Sequence, residues 1–248
     1  MIKTALIPAA GLGNRMNDFT KDRPKCLLEV NGQPLLSMQI NALEEAGFEH
    51  LIIITGYKSD MIEDYILHYS GKLNIKTVHN PLYDSTNNIY SVWLTNSFPE
   101  LNDGFVLIES DLVFDTSVIS LFKQPDLIAL DDYDPVIHSG TVAILDKKDS
   151  VKALIMNGDI PLNQKIYKTV NITSFSSEAK ILFFDYIAKY IQINEKNIYY
   201  ESAIRDMIDI DSFTFKAADF SHIAWGEIDT PKDLKRVKST FRPTKILN

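Results

Sequence analysis

The sequence predicts a single α/β domain, a mixed but mostly parallel central sheet flanked by helices, with a smaller β-rich portion in its second half. Two observations carry this. Apolar runs too short for helices, Ala5–Ala10, Leu51–Ile54 and Phe105–Ile108, read as strands buried on both faces. Segments of helical period lie between them, and strand–helix–strand alternation builds a parallel sheet covered by helices. With 248 residues, 45% hydrophobic and 23% charged, the chain can bury one sizeable core.

The elements follow in order. Ala5–Ala10 runs straight into Gly11-Leu12-Gly13. Pro34 to Ala46 places Leu36, Ile40 and Leu43 on one helical face, with Pro34 in the first turn and Gly47 as the stop. After Leu51–Ile54 and Thr55-Gly56-Tyr57, Asp60 with Glu63 resembles a capping box for a helix carrying Met61, Tyr65 and Tyr69. A strand around Ile75–Val78 closes at Asn80-Pro81, Asn87–Leu94 forms a short helix, and Phe105–Ile108 delivers Asp111. Ligands of such sheets gather at the carboxyl ends of the strands, which is where Gly11, Gly56, Asn80 and Asp111 are expected. The second half reads as strands at 141–145, 151–156 and 165–173, a turn at Asn157-Gly158, helices at 178–191 and 200–209, and a last strand over 222–225. Thr230 caps a terminal helix, with Pro231 next and Asp233 three residues on.

Lys+Arg 25 against Asp+Glu 33 leaves a net charge of −8, which argues against a dedicated nucleic-acid or anionic-membrane binder. The single Cys26 cannot form an internal disulfide and reads as a small buried hydrophobe. No apolar run approaches the ~20 residues a membrane span requires. The expectation is a cytoplasmic protein.

The sharpest local signal is Gly11-Leu12-Gly13-Asn14-Arg15-Met16, followed by Pro24-Lys25-Cys26-Leu27. Glycines directly after a buried strand let the backbone approach a phosphate with its N–H groups turned inward. Met16 stands where the dinucleotide fingerprint needs its third glycine, and no Gly-Lys-Ser/Thr is present, so neither a dinucleotide-binding turn nor a Walker loop fits. Instead two cations flank the glycines: Arg15, which can grip phosphate oxygens bidentately, and Lys25, a mobile point charge. Asp111 at a strand end is equally a helix cap, and Asp229 equally a surface residue before the terminal helix. The five histidines lack metal-ligand or triad spacing.

These blocks resemble the nucleotidyltransferases that couple a nucleoside triphosphate to a phosphorylated small molecule. The resemblance continues through Asn80-Pro81-Leu82-Tyr83 and Asn87-Asn88-Ile89-Tyr90, then Glu109-Ser110-Asp111, and ends with Glu227-Ile228-Asp229-Thr230-Pro231. At Asn87-Asn88 the chain is less like the sugar nucleotidyltransferases, which carry a Gly-rich stretch there. It is more similar to the phosphocholine and aminoalkylphosphonate cytidylyltransferases. The resemblance implies a single Rossmann-like domain, with residues 1–115 as the nucleotide-binding half and 116–248 as the acceptor-binding half. It implies CTP as donor and Mg²⁺ on Asp111 and Asp229, and Mg²⁺ does prefer one or two carboxylates plus phosphate oxygens. Lys25 would contact the α-phosphate and Arg15 the departing pyrophosphate. Ala9, Ala10, Gly11, Gly13, Asn80, Asn87 and Asn88 would hold the nucleotide.

For the acceptor, an amine-bearing phosphate or phosphonate ester, Trp225 and Glu201 are expected to flank the ammonium and Lys168 the anionic end. An aromatic face with a carboxylate suits a cation. Tyr199, Tyr200, Asp131, Asp132 and Tyr133 also lie in this half but read equally as core or rim. Were the amine itself beside a carboxylate, Lys168 and Arg205 would be the available cations. Two alternatives stay open: a sugar-1-phosphate nucleotidyltransferase, and a non-catalytic nucleotide-sensing relative, which would be expected to lack Arg15, Lys25 or one Asp. A monomer or homodimer is expected.

Overall fold

The computed structural model describes residues 1–156, 158, 160–161 and 164–241. Strand β1 (Thr4–Pro8) leads through the glycine loop to the two-residue strands β2 (Glu29–Val30) and β3 (Gln33–Pro34) and helix α1 (Leu35–Glu45). Then come β4 (His50–Thr55), α2 (Ser59–Leu67), β5 (Asn74–His79), α3 (Asn88–Trp93), β6 (Phe105–Ile108) and β7 (Leu112–Phe114). The second half holds β8 (Leu127–Asp132), β9 (Val142–Leu145), β10 (Val151–Ile155), β11 (Tyr167–Phe175), α4 (Ser177–Gln192), α5 (Glu201–Asp209), β12 (Lys216–Asp219), β13 (Trp225–Glu227) and α6 (Pro231–Thr240).

The main sheet runs β10-β9-β11-β6-β1-β4-β5, with β8 joined to β11 and β12. Strands β6, β1, β4 and β5 are parallel. Strand β11 returns antiparallel beside β6, so the sheet is mixed and mostly parallel, as expected, with its parallel part in the first half of the chain. Strand alternation explains the two-sided core. Ala5, Ile7, Leu51 and Ile53 face Leu36, Ile40 and Leu43 of α1 and Ile62 of α2. Leu6, Ile52 and Ile54 face the opposite layer, built by α3, α4 and α5. A third, smaller cluster packs α6 (Leu234, Val237) against β7 (Val113), Ile228 and Met16. Met16, which excluded the dinucleotide turn, is fully buried there and pins the glycine loop.

Some expectations need correction. Asp60 and Glu63 form no capping box: α2 is preceded by Lys58 at φ 52°, with no side-chain cap, and Asp60 merely contributes charge to the first turn. Tyr69 lies beyond the end of α2. The last strand is Trp225–Glu227 rather than 222–225, because pairing with β7 begins at Trp225, while Ile223 N–H closes a turn onto Phe220. Strand β12, which adds to β8, carries no apolar run that marks it in the sequence. The turn expected at Asn157-Gly158 involves Asn157, which lies outside the described residues. At the terminal helix Thr230 and Asp233 form a reciprocal capping box.

Candidate active site

The carboxyl ends of β1, β6 and β13 open into one cleft of about 560 Å³. The glycine loop forms one wall. At φ +66°, Gly13 occupies the left-handed region, where a side chain would be strained and its Cβ would meet Thr20 Cγ2 at 3.0 Å. Gly11 is different: a Cβ there would touch nothing within 4 Å, so the loop keeps an open face toward the cleft. Ala9, Ala10, Gly11, Gly13 and Arg15 all line it.

Backbone pairing brings the acids together. Strands β7 and β13 pair antiparallel with Glu227 opposite Leu112, and Ile228 N–H donates to the Asp111 carbonyl at 3.1 Å. Spacing of two in extended chain puts Glu227 and Asp229 on one side. One oxygen from each of Asp111, Glu227 and Asp229 lies within 4.8 Å of the others. Asp111 is not a helix cap; that role belongs to Asp115. Lys25 Nζ lies 2.6 Å from Asp111 Oδ2 and 2.8 Å from Asp229 Oδ1, and Arg15 reaches Asp229 Oδ1 at 2.7 Å. Burial works against the Lys25 ammonium, but Asp111 and Asp229 outweigh it and hold the group above its ordinary range. Asp111 Oδ1 is enclosed and has no partner among the described residues. Two aspartates and a glutamate offering hard oxygens, one of them unsatisfied, are a donor set that fits Mg²⁺.

Glu227 is the member sequence reasoning missed. Burial, then the charges of Asp111 and Asp229, push its carboxyl up to about 7 against the pull of Lys168 and Lys25. The folded state thus favours its protonated form. That stabilisation is complete below the ordinary glutamate range and lost as pH rises through about 7. Chelated protein carrying Glu227→Gln should therefore melt higher than wild type, by a margin that widens between about pH 5 and pH 8. A margin that stays flat or reverses in thermal unfolding would contradict this balance.

Asn87 and Asn88 also line the cleft, with Tyr83, Ser91 and Glu109. Asn87 caps α3 through its side chain. The Asn88 amide is engaged at both ends, donating to Glu109 Oε1 at 3.1 Å and accepting from Tyr200 N–H at 2.9 Å. Asn80 is a correction. At 1% exposure it does not line the cleft, and its side chain braces the following loop through Thr86, Ser91 and the Leu82 N–H. Glu109, two residues before Asp111, is held well above the usual carboxylate range by burial and then by Asp111 and Glu201.

The expected acceptor residues divide between two cavities. Lys168 on β11, 2% exposed, lies 3.8 Å from Glu227 Oε2. Glu201, the first residue of α5, lines the main cleft, and its Oε2 is enclosed without a partner among the described residues. Burial raises its carboxyl, partly offset by Lys168. Trp225 instead lines a neighbouring cavity of about 360 Å³, where its Nε1 donates to Asp131 Oδ2 at 2.7 Å and its ring stacks on His138 at 5.7 Å. Lys168 and Glu227 line both spaces, so Trp225 and Glu201 do not face one pocket. Tyr199 lines the cleft and Tyr200 is core. Asp132 pairs with Lys165, and Tyr133 sits 6.2 Å from the His138 ring. Arg205 is occupied by Asp206 and Tyr190, away from the cleft lining. Asn171, at φ 60°, lines the cleft at the irregular middle of β11.

A model of the MobA-like NTP transferase domain matches residues 5–126. A choline-phosphate cytidylyltransferase of Streptococcus pneumoniae is 30% identical over 84% of this chain and 93% of its own. A CMP-5'-(3-aminopropyl)phosphonate synthase of Streptomyces rubellomurinus is 26% identical over 97% of this chain, which spans only 39% of that longer relative. A 2-aminoethylphosphonate cytidylyltransferase of Lancefieldella rimae is 38% identical over 44% of this chain and 43% of its own. Among solved structures, the CTP:phosphocholine cytidylyltransferase of Streptococcus pneumoniae superposes with a TM-score of 0.81, 22% identity and coverage of 96% and 99%. A UDP-glucose pyrophosphorylase with UDP-glucose gives 0.80, 18% identity, 97% and 98%. At those identities the superpositions establish the fold, which is shared across different bases and acceptors.

Proposed function

Because this chain belongs to the nucleotidyltransferase family, on its branch of phosphocholine and aminoalkylphosphonate cytidylyltransferases, we propose that it transfers the cytidylyl group of CTP to a small amine-bearing phosphate or phosphonate, releasing pyrophosphate. The observation that carries the reading is the meeting of Asp111, Glu227 and Asp229 within 4.8 Å, beside Lys25 and the open glycine loop. An anionic oxygen of the acceptor attacks the α-phosphorus; the new P–O bond forms as the bond to the bridging oxygen breaks, and pyrophosphate carries off that electron pair. The attacking oxygen is already an anion near neutral pH, so no protein base is needed, and no histidine lines the main cleft among the described residues.

Catalysis then reduces to orientation and charge. Ala9 to Gly13 present backbone to the nucleotide, with Asn87 and the Tyr83 wall beside the base. Lys25 neutralises the α-phosphate, and Arg15, two-thirds exposed at the rim, meets the departing pyrophosphate. Asp111 and Asp229, with Glu227 adjoining, would hold Mg²⁺, which supplies further neutralisation of phosphate oxygens. Lys168 faces the acceptor's anionic end and Glu201 its ammonium. The test is pyrophosphate release with each nucleoside triphosphate against phosphocholine, 2-aminoethylphosphonate, phosphorylated amino acids and sugar 1-phosphates. Turnover with CTP and an amine-bearing acceptor is expected, and turnover confined to sugar 1-phosphates would overturn it.

The divided cavities make a sharper statement about the acceptor. Glu201→Gln keeps a hydrogen-bond acceptor but removes the charge; a bond to a charged group contributes roughly 1.5–3 kcal/mol against about 0.5–1.5 for a neutral one, so acceptor KM should rise about fivefold or more while KM for CTP is unchanged. Trp225→Leu should have the smaller effect, since its indole is committed to Asp131 and His138. Equal use of acceptors with and without the amine by the wild type would remove Glu201 from this role.

A further inference from the structure

Gln39 is a polar side chain sealed among apolar ones. It sits on the core-facing side of α1 with Leu36, Ile40 and Leu43, and is 1% exposed. Its Nε2 donates to the Glu109 carbonyl at 2.8 Å and the Leu112 carbonyl at 3.0 Å, while its Oε1 is buried with no partner among the described residues. Burying an amide with half its capacity unmet costs free energy, so packing alone would favour an apolar residue here.

The two carbonyls flank Asp111. They belong to the irregular link between β6 and β7, whose own turn bond, Leu112 N–H to Glu109 O, is long at 3.4 Å. The link is instead fastened from outside, by Ile228 N–H on the Asp111 carbonyl and by Gln39 on the carbonyls to either side. A second anchor from a different layer fixes the direction in which Asp111 points relative to Glu227 and Asp229. We infer that Gln39 is a positioning residue, clamping the β6–β7 link so that the Asp111 carboxylate is held ready for a divalent cation. The inference rests on the proposed role of Asp111 in metal binding.

The experiment titrates the full chain with Mn²⁺ in the absence of nucleotide, reading free ion by electron paramagnetic resonance. Gln39→Met keeps length and flexibility but cannot donate; it should bind Mn²⁺ about tenfold more weakly or worse, as expected for losing an outer-sphere anchor. Gln39→Glu, whose acid form can still donate one bond, should fall between it and wild type, and serves if the Met variant does not fold. Thr4→Val is the control: it deletes a buried side-chain bond to the Glu100 carbonyl at the far end of β1, and should lower the melting temperature without moving the Mn²⁺ curve. In turnover, the Mg²⁺ concentration for half-maximal rate should rise in Gln39→Met while KM for CTP at saturating Mg²⁺ holds. Wild-type Mn²⁺ affinity in the folded Gln39 variants, or equal weakening by Thr4→Val, would overturn the inference alone. If Asp111→Asn also leaves Mn²⁺ binding unchanged, the metal reading fails and the inference with it.

Discussion

Replacing Lys25 by Ala should lower turnover by a factor on the order of 10² or more at saturating substrates, because a cation at the α-phosphate acts mostly on charge that develops in the transition state. The structure adds a second consequence. Lys25 stands between Asp111 Oδ2 and Asp229 Oδ1, and its loss leaves carboxylates facing one another within 4.8 Å. The folded state should survive, since the hydrophobic layers do not involve this group, but the metal-free variant should melt lower than wild type. Mn²⁺ should restore more of its stability than it adds to wild type. Turnover near wild type with saturating nucleotide would end the assignment of Lys25 to the phosphate.

The second large effect is expected at the acids. Asp111→Asn and Asp229→Asn keep nearly the same shape while removing one negative ligand each, and each should cost at least about 10²-fold in turnover. The Mg²⁺ concentration giving half-maximal rate should rise in both. The two variants should differ in one respect. Asp229 also binds Arg15 and borders the Thr230 capping box, whereas Asp111 carries the unpartnered Oδ1. Asp111→Asn should therefore act more purely on the metal, and Asp229→Asn also on the outgoing pyrophosphate. An unchanged Mg²⁺ titration for either variant excludes that residue from the site.

Much of this was legible from local pattern. Apolar runs between glycine and proline signals determined β1, β4 and β6, and helical spacing determined the buried face of α1, because burial on a sheet or helix is periodic along the chain. Gly11, Gly13, Arg15 and Lys25 stood out by type and order, Asp111 and Asp229 only through the family resemblance, and the fold places all six on one cleft. The capping box at Thr230 was equally readable, since both partners lie within one turn.

Tertiary structure decided what pairs with what. Glu227 joins the acids because β13 pairs with β7, a contact with no local signature, although spacing of two before Asp229 could have suggested it. Asn80, polar and beside a turn, is enclosed by a loop that folds back over it. Trp225 is committed to Asp131 and His138 in a neighbouring cavity, and Gln39 reads as an ordinary helix residue until the β6–β7 link is laid across it. Hydrophobic burial is encoded in a residue's own neighbours along the chain. The partner of a buried polar group is set by which distant segments the sheet brings within hydrogen-bonding distance, about 3 Å, and only the folded chain fixes that.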